Sequence, residues 1–146
     1  MTSAQLATSD GHRLAADVAL PHGRGVDGAV VLCHPHPQYG GNRFDAVVTT
    51  LFERLPPAGF AALRFDFRRD FGGGIGERLD VVAALDHLDT VADVDGLRRF
   101  VVGYSFGAAV ALGTDDRRIS AIGAVAPPLA LTPTSEPHVP VLVLTP

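Results

Sequence analysis

Apolar positions along the chain change their period several times, and each change marks an element. Ala29–Cys33 is an unbroken apolar run of strand length, the pattern of a parallel strand covered on both faces. Beyond it the period becomes helical, with Phe44, Val47, Val48, Leu51, Phe52 and Leu55 on one side. Asn42, just after Gly40-Gly41, is placed to cap that helix, and Pro56-Pro57 to stop it. Phe60–Phe67 predicts the next strand. A second helix is expected from about Ile75 to Leu88, with Leu79, Val82, Leu85 and Leu88 as its apolar stripe. Phe100–Gly103 predicts a strand, Phe106–Leu112 a short Ala-rich helix, and Ile119–Ala126 and Val139–Leu144 two further buried strands. Ahead of these, Gln5–Thr8 and His12–Leu20 read as a hairpin turning at Asp10-Gly11, a pair suited to positive φ. Pro21 to Asp27 is a polar loop. Strand–helix alternation after an opening hairpin predicts a mainly parallel sheet with helices on both faces and the hairpin at one edge. No repeat or linker interrupts it, so residues 1–146 read as one domain.

Composition narrows the chemistry. Apolar residues make up 47% and charged residues 19% of 146, which favours a buried core over disorder. The net charge of −4 argues against nucleic acid as a partner. All 12 basic residues are Arg. The absence of Lys removes a Walker-type phosphate loop, a Schiff-base enzyme and a lysine base together. Cys33 is the only cysteine, which rules out an intrachain disulfide and a cysteine-based zinc site. No apolar run reaches the length of a membrane span, and the first residues do not read as a signal peptide, so no membrane partner and a cytoplasmic location are the expectations.

The sharpest local signal is Gly103-Tyr104-Ser105-Phe106-Gly107, set between a predicted strand and a predicted helix. A nucleophile on such a turn has strained backbone, and glycines two residues either side relieve the crowding. The turn lifts the Ser105 hydroxyl clear of the sheet and aims the next helix N-terminus at it, where free N–H groups favour a developing oxyanion. A serine that merely caps a helix is the plainer alternative.

The second signal is His34-Pro35-His36-Pro37 at the C-terminal end of the Ala29–Cys33 strand, where α/β sheets bind ligands. Proline has no N–H, so only His34 and His36 offer backbone donors there. An oxyanion hole takes one N–H from this loop and one from the residue after the nucleophile, which selects His36 and Phe106. His34, Gln38, Tyr39 and Tyr104 are expected on the pocket rim. His34-x-His36 also fits a pair of metal ligands, but His12, His22, His87 and His138 show no ligand-like clustering with it, so no metal is expected.

Four pieces now stand in one order: residues 34–42, Leu63-Arg64-Phe65-Asp66-Phe67-Arg68, Gly74-Ile75-Gly76-Glu77 and Gly103-Tyr104-Ser105-Phe106-Gly107. Together with Val125-Ala126-Pro127-Pro128-Leu129 they resemble small bacterial α/β-hydrolase-superfamily proteins related to dienelactone hydrolases and prolyl-oligopeptidase-type domains. The resemblance implies an eight-stranded sheet and a Ser–Asp–His triad without an organic cofactor or metal, and no settled substrate. In that family the segment after Phe67-Arg68 continues Gly-x-Gly-x-Ser-x-Gly, whereas here Arg69-Asp70-Phe71-Gly72 follows directly, so residues missing after Arg68 are an expectation. The family's catalytic Asp and His follow the strand corresponding to Val139–Leu144. They are therefore expected beyond Pro146, together with a last strand and helix. Within the chain Glu136 is a weak substitute for the acid, and His138 is expected at the opposite end of the sheet from Ser105.

The expected function is a serine hydrolase acting on an ester, thioester or related acyl substrate, with a catalytically inactive binding module of the same fold as the alternative. A second copy of the chain is a candidate partner. Cys33 reads as core, Asp66 and Arg68 as structural partners, and Gly72-Gly73-Gly74 as a flexible loop. Asp80, Asp86, Asp89, Asp93 and Asp95 read as the solvated face and end of a helix.

Overall fold

The computed structural model describes residues 1–146 other than Ala92, Asp95 and 133–135. Its strands are β1 (Thr2–Ala7), β2 (Arg13–Ala19), β3 (Gly28–Cys33), β4 (Phe60–Phe65), β5 (Arg99–Tyr104), β6 (Ile119–Val125) and β7 (Val141–Leu144). Helices α1 (Ala46–Arg54), α2 (Glu77–Asp89) and α3 (Phe106–Gly113) lie between them. The strands form one sheet in the order β1-β2-β4-β3-β5-β6-β7. β1–β2 and β2–β4 are antiparallel, and every other pairing is parallel. The opening hairpin therefore sits at one edge, turning through Gly11 at φ 94°.

The sheet divides the interior into two apolar layers. On one face α2 and α3 bury Val81, Leu85, Leu88, Phe106 and Val110 against Val31, Leu63, Val101 and Ile122. On the other, Val48 and Phe52 of α1 pack on Val30, Leu32 and Ala62. Cys33 is part of the first layer, fully buried, and burial drives its thiol pKa far above the ordinary value. It is inert core.

Two expectations change at this level. Asn42 does not cap α1; its side-chain oxygen accepts from Phe44 N–H, and Asp45 caps instead, accepting from Val47 and Val48 N–H. Phe44 is left outside the helix, exposed, with the guanidinium of Arg43 4.3 Å from its ring centre and that of Arg64 4.9 Å away. Asp80 is not solvated: it is fully buried and takes hydrogen bonds from the Arg68 backbone and guanidinium. Burial raises the Asp80 pKa above its ordinary value, and the Arg68 contacts oppose that rise. Breaking such a pair by removing one partner costs about 3–5 kcal/mol, because the other charge stays buried. Asp86 and Asp89 are exposed and bridge to Arg118, and Asp93 is exposed, whereas Asp95 lies outside the described residues.

β7 stands at the other edge of the sheet. It joins β6 in parallel, as its apolar run suggests, but it is not buried: Leu142, Val143 and Leu144 are 64%, 51% and 52% exposed. α1 sits mainly over β3 and β4 on its face of the sheet. Past them, Phe100, Val102, Ala121, Gly123 and Leu142 line an open apolar trough of about 320 Å³. A strand with no charged residue at a sheet edge is a template for pairing with another chain. Residues 1–146 on their own are accordingly expected to self-associate with rising concentration, and Leu142→Glu to suppress this, as read by light scattering after size exclusion. A monomeric wild type at every concentration would show that the exposed edge is tolerated.

Candidate active site

The site forms where β5 turns into α3. Ser105 has φ 54° and ψ −118°, a backbone state that non-glycine residues avoid. The turn is forced by close backbone packing. A Cβ on Gly103 would lie 2.2 Å from the Gly107 carbonyl oxygen, and one on Gly107 would lie 2.3 Å from the Cys33 carbonyl oxygen. Only glycine fits at either position. The Ser105 N–H is held by the Val125 carbonyl at 2.9 Å, and its carbonyl accepts from Ala108 N–H. Its side chain makes no capping hydrogen bond to α3, which sets aside the capping-serine alternative.

Next to the turn lies the loop after β3. His36 stacks on Phe106 with ring centres 4.8 Å apart, and on Tyr39 and Phe71 at 4.6 and 4.7 Å. Among the described residues, neither His36 N–H nor Phe106 N–H has a backbone acceptor, and both belong to the two segments joined by this stacking. His36 Nδ1 accepts from Gln38 N–H, and the His36 carbonyl accepts from Tyr39 and Gly41 N–H, so the loop closes on itself around His36.

His34 has a different place from the rim expected for it. It is 1% exposed, beneath the loop. Its Nε2 accepts from Phe67 N–H at 3.0 Å, and its Nδ1 donates to the Pro35 carbonyl. Both nitrogens are committed in the neutral tautomer, and burial pushes the pKa below its ordinary value. His34 is thus a bracket between the ends of β3 and β4 and is free neither for a metal nor for a proton transfer.

Gln38 and Asn42 line a cavity of about 300 Å³ with His34, Asp66 and Arg69. Tyr39 stands 87% exposed at the edge of the site. Tyr104 lines neither cavity next to the turn; it is half-buried, continuing the row of Phe100 and Val102 toward the α1 face. Asp66 accepts from the backbone and side chain of Arg43, tying the loop before α1 to the end of β4. His138 lies with Ile119, at the start of β6, far from the turn at the strand C-terminal ends. Glu136 lines the same distant cavity.

No family model matches the chain. An uncharacterised protein of Rickettsia prowazekii is 37% identical over 109 residues, covering 69% of this chain; the chain spans 45% of that relative's length. An α/β serine hydrolase without lid from Xanthomonas campestris superimposes over 99% of this chain and 70% of its own, with TM-score 0.86 and 26% identity. A serine hydrolase homologue from Coxiella burnetii covers 99% and 73%, with TM-score 0.81 and 27% identity. The chain has the α/β-hydrolase fold.

Within this fold, three site residues carry little sequence signal. Phe71 caps the His36 and Phe106 rings, in the segment that departs from the family pattern. Glu77, fully buried, accepts from Gly72 and Gly74 N–H and so fixes the glycine run that had read as flexible. A glutamate opening a helix after three glycines is the one hint of this in the sequence. Ala126 has φ 47°, and its N–H donates to Leu144 O at 2.7 Å, beside the strand position that holds Ser105. Alanine announces no such conformation.

The His34 bracket predicts a pH effect on stability. The folded pKa lies below the unfolded value near 6.5, so the unfolded chain binds a proton that the folded one refuses. Stability is full above about pH 6.5 and falls as the pH drops below it. In urea unfolding across this range, His34→Gln is expected to lose stability at neutral pH and to show a shallower acid slope. An unchanged slope would mean that His34 titrates normally in the fold.

Proposed function

We propose that this hydrolase-fold chain carries the nucleophile and oxyanion hole of a serine hydrolase acting on ester, thioester or related acyl substrates. The observation that supports this most directly is the strained Ser105 turn, with a side chain left uncapped at the head of α3. Similarity to proteins described as serine hydrolases supports the same reading. In this reaction Ser105 Oγ attacks the acyl carbonyl and loses its proton to a base. The carbonyl oxygen becomes an oxyanion held by the N–H groups of Phe106 and His36. Collapse expels the alcohol or thiol with a proton, and water then releases the acid and restores the serine.

The base requires an imidazole that can move a proton. His34 is committed at both nitrogens, and His138 lies at the other end of the sheet. The second reading is a non-catalytic module that binds acyl compounds in the same place. The two readings differ in Ser105 reactivity.

A phosphonate ester probe is expected to label wild-type protein at Ser105 and to leave Ser105→Ala unlabelled, as read by intact mass and peptide mapping. Equal labelling of both would remove Ser105 as the nucleophile. His36 provides a finer test, because its φ of −55° is one that proline can take. His36→Ala keeps the N–H and should retain most of the labelling rate. His36→Pro deletes it and should slow labelling about 10²–10³-fold. Equal rates for the two variants would place the oxyanion donor elsewhere.

A further inference from the structure

Of the backbone groups of Pro35 and His36, one has no partner among the described residues. The His36 carbonyl accepts from Tyr39 and Gly41 N–H, and the Pro35 carbonyl accepts from His34 Nδ1. Pro35 has no N–H. What is left over is the His36 N–H, and buried or half-buried backbone groups are seldom left so.

This N–H belongs to the same peptide unit as the carbonyl that His34 grips. A peptide is planar, and in the trans form found here its N–H and C=O point to opposite sides. Fixing the Pro35 carbonyl on the buried His34 ring therefore aims the His36 N–H away from that ring. The ring itself cannot swivel. Its Nε2 accepts from Phe67 N–H at 3.0 Å, which leaves the proton on Nδ1, and it meets the Phe67 ring edge-on with centres 4.8 Å apart. Gly41 closes on the same carbonyl: a Cβ there would lie 2.1 Å from Pro35 O and 2.5 Å from its carbon. Only glycine lets the loop return this close.

We propose that His34 is a positioning residue for the oxyanion hole. With Gly41 it holds the Pro35–His36 peptide in the plane that presents the His36 N–H to the developing charge. The inference rests on the reading of Ser105 as the nucleophile and of the His36 N–H as a donor, and deepens it. Phe67 N–H, the His34 ring and the Pro35–His36 peptide form a relay from the end of β4 to the site. Each hydrogen bond in such a chain polarises the next, so the relay strengthens the last donor as well as aiming it. His34 touches no substrate in this role; it acts through its neighbour's backbone. Its effect falls on the charge-developing step, because an oxyanion is stabilised by dipoles already in place.

The test labels the full chain with the phosphonate ester over a range of concentrations, which separates the maximal rate (kinact) from probe binding (KI). His34→Leu removes both hydrogen bonds and should lower kinact about 10–10²-fold with KI unchanged, the scale of an ångström of misplacement. His34→Gln, with a donor and an acceptor on a flexible stem, should recover part of that loss. Gly41→Ala displaces the same carbonyl from a half-buried loop position and should also lower kinact, so it remains informative if His34→Leu fails to fold. In His36→Pro the donor is already gone, and adding Gly41→Ala should slow labelling no further. The ring 15N signals of His34 should show the proton on Nδ1. Wild-type rates in the His34 and Gly41 variants, a rise in KI instead of a fall in kinact, or an additive loss in His36→Pro would each overturn the positioning role and leave the nucleophile standing. A proton on Nε2 would overturn it whatever the rates. A wild type unlabelled at Ser105 would overturn the nucleophile, and the positioning role with it.

Discussion

Everything at the site depends on backbone meeting backbone where α3 leaves β5. Gly107 presses on the carbonyls of Cys33 and His34, and Gly103 presses on Gly107, at distances no side chain tolerates. This contact draws the first turn of α3 against the end of β3. It also bends Ser105 into its strained state and sets Phe106 beside the loop that carries His36. A site of this kind works through fixed dipoles aimed at developing charge, which requires rigidity more than a large number of contacts. Strain at one residue persists only where the surroundings over-determine it. Here the parallel neighbours β3 and β6 grip the turn from both sides, through Gly107 and through the Val125 carbonyl.

The end of β4 supplies the second layer of support. Three consecutive residues each secure a different element. Asp66 holds Arg43 and thus the loop ahead of α1, Phe67 N–H holds His34, and Arg68 holds Asp80 of α2 together with Asp10 of the opening hairpin. The Arg68 hydrogen bonds keep the Asp10 carboxyl well below the usual carboxylate range. Such a buried ion pair adds little net stability over an apolar one, since desolvation offsets most of the attraction. What it supplies is position: directional bonds place the loops around Ser105 alongside the ring packing of His36, Phe71 and Phe106.

The two faces of the sheet are finished unequally. Under α2 and α3 the apolar layer is closed, whereas on the α1 side the β5–β6–β7 surface is open. Among the described residues no helix is long and apolar enough to cross a membrane, and no group of three potential metal ligands gathers.

Much of the architecture was legible in the chain because period and punctuation act locally. The apolar run before His34, the alternation of strand and helix, and the glycines around Ser105 each state a backbone requirement within a few residues. The same locality explains the errors. Asp80 looked solvated because nothing near it in sequence reveals that Arg68, twelve residues earlier, folds onto it. Asn42 and Asp45 are both plausible caps, and only the position of α1 over β3 and β4 selects Asp45. His34 and His36 are chemically equivalent in the sequence, yet tertiary structure buries one as a bracket and leaves the other at the site. β7 carries the composition of an interior strand, as expected of one whose covering strand and helix were placed beyond Pro146, and among the described residues nothing pairs with its outer side. Sequence by itself determined which backbone shapes were available and which hydroxyl could stand on a strained turn. Tertiary structure decided which polar groups were spent on holding the site together and which were left free to act, because that choice depends on long-range partners and on exclusion from water.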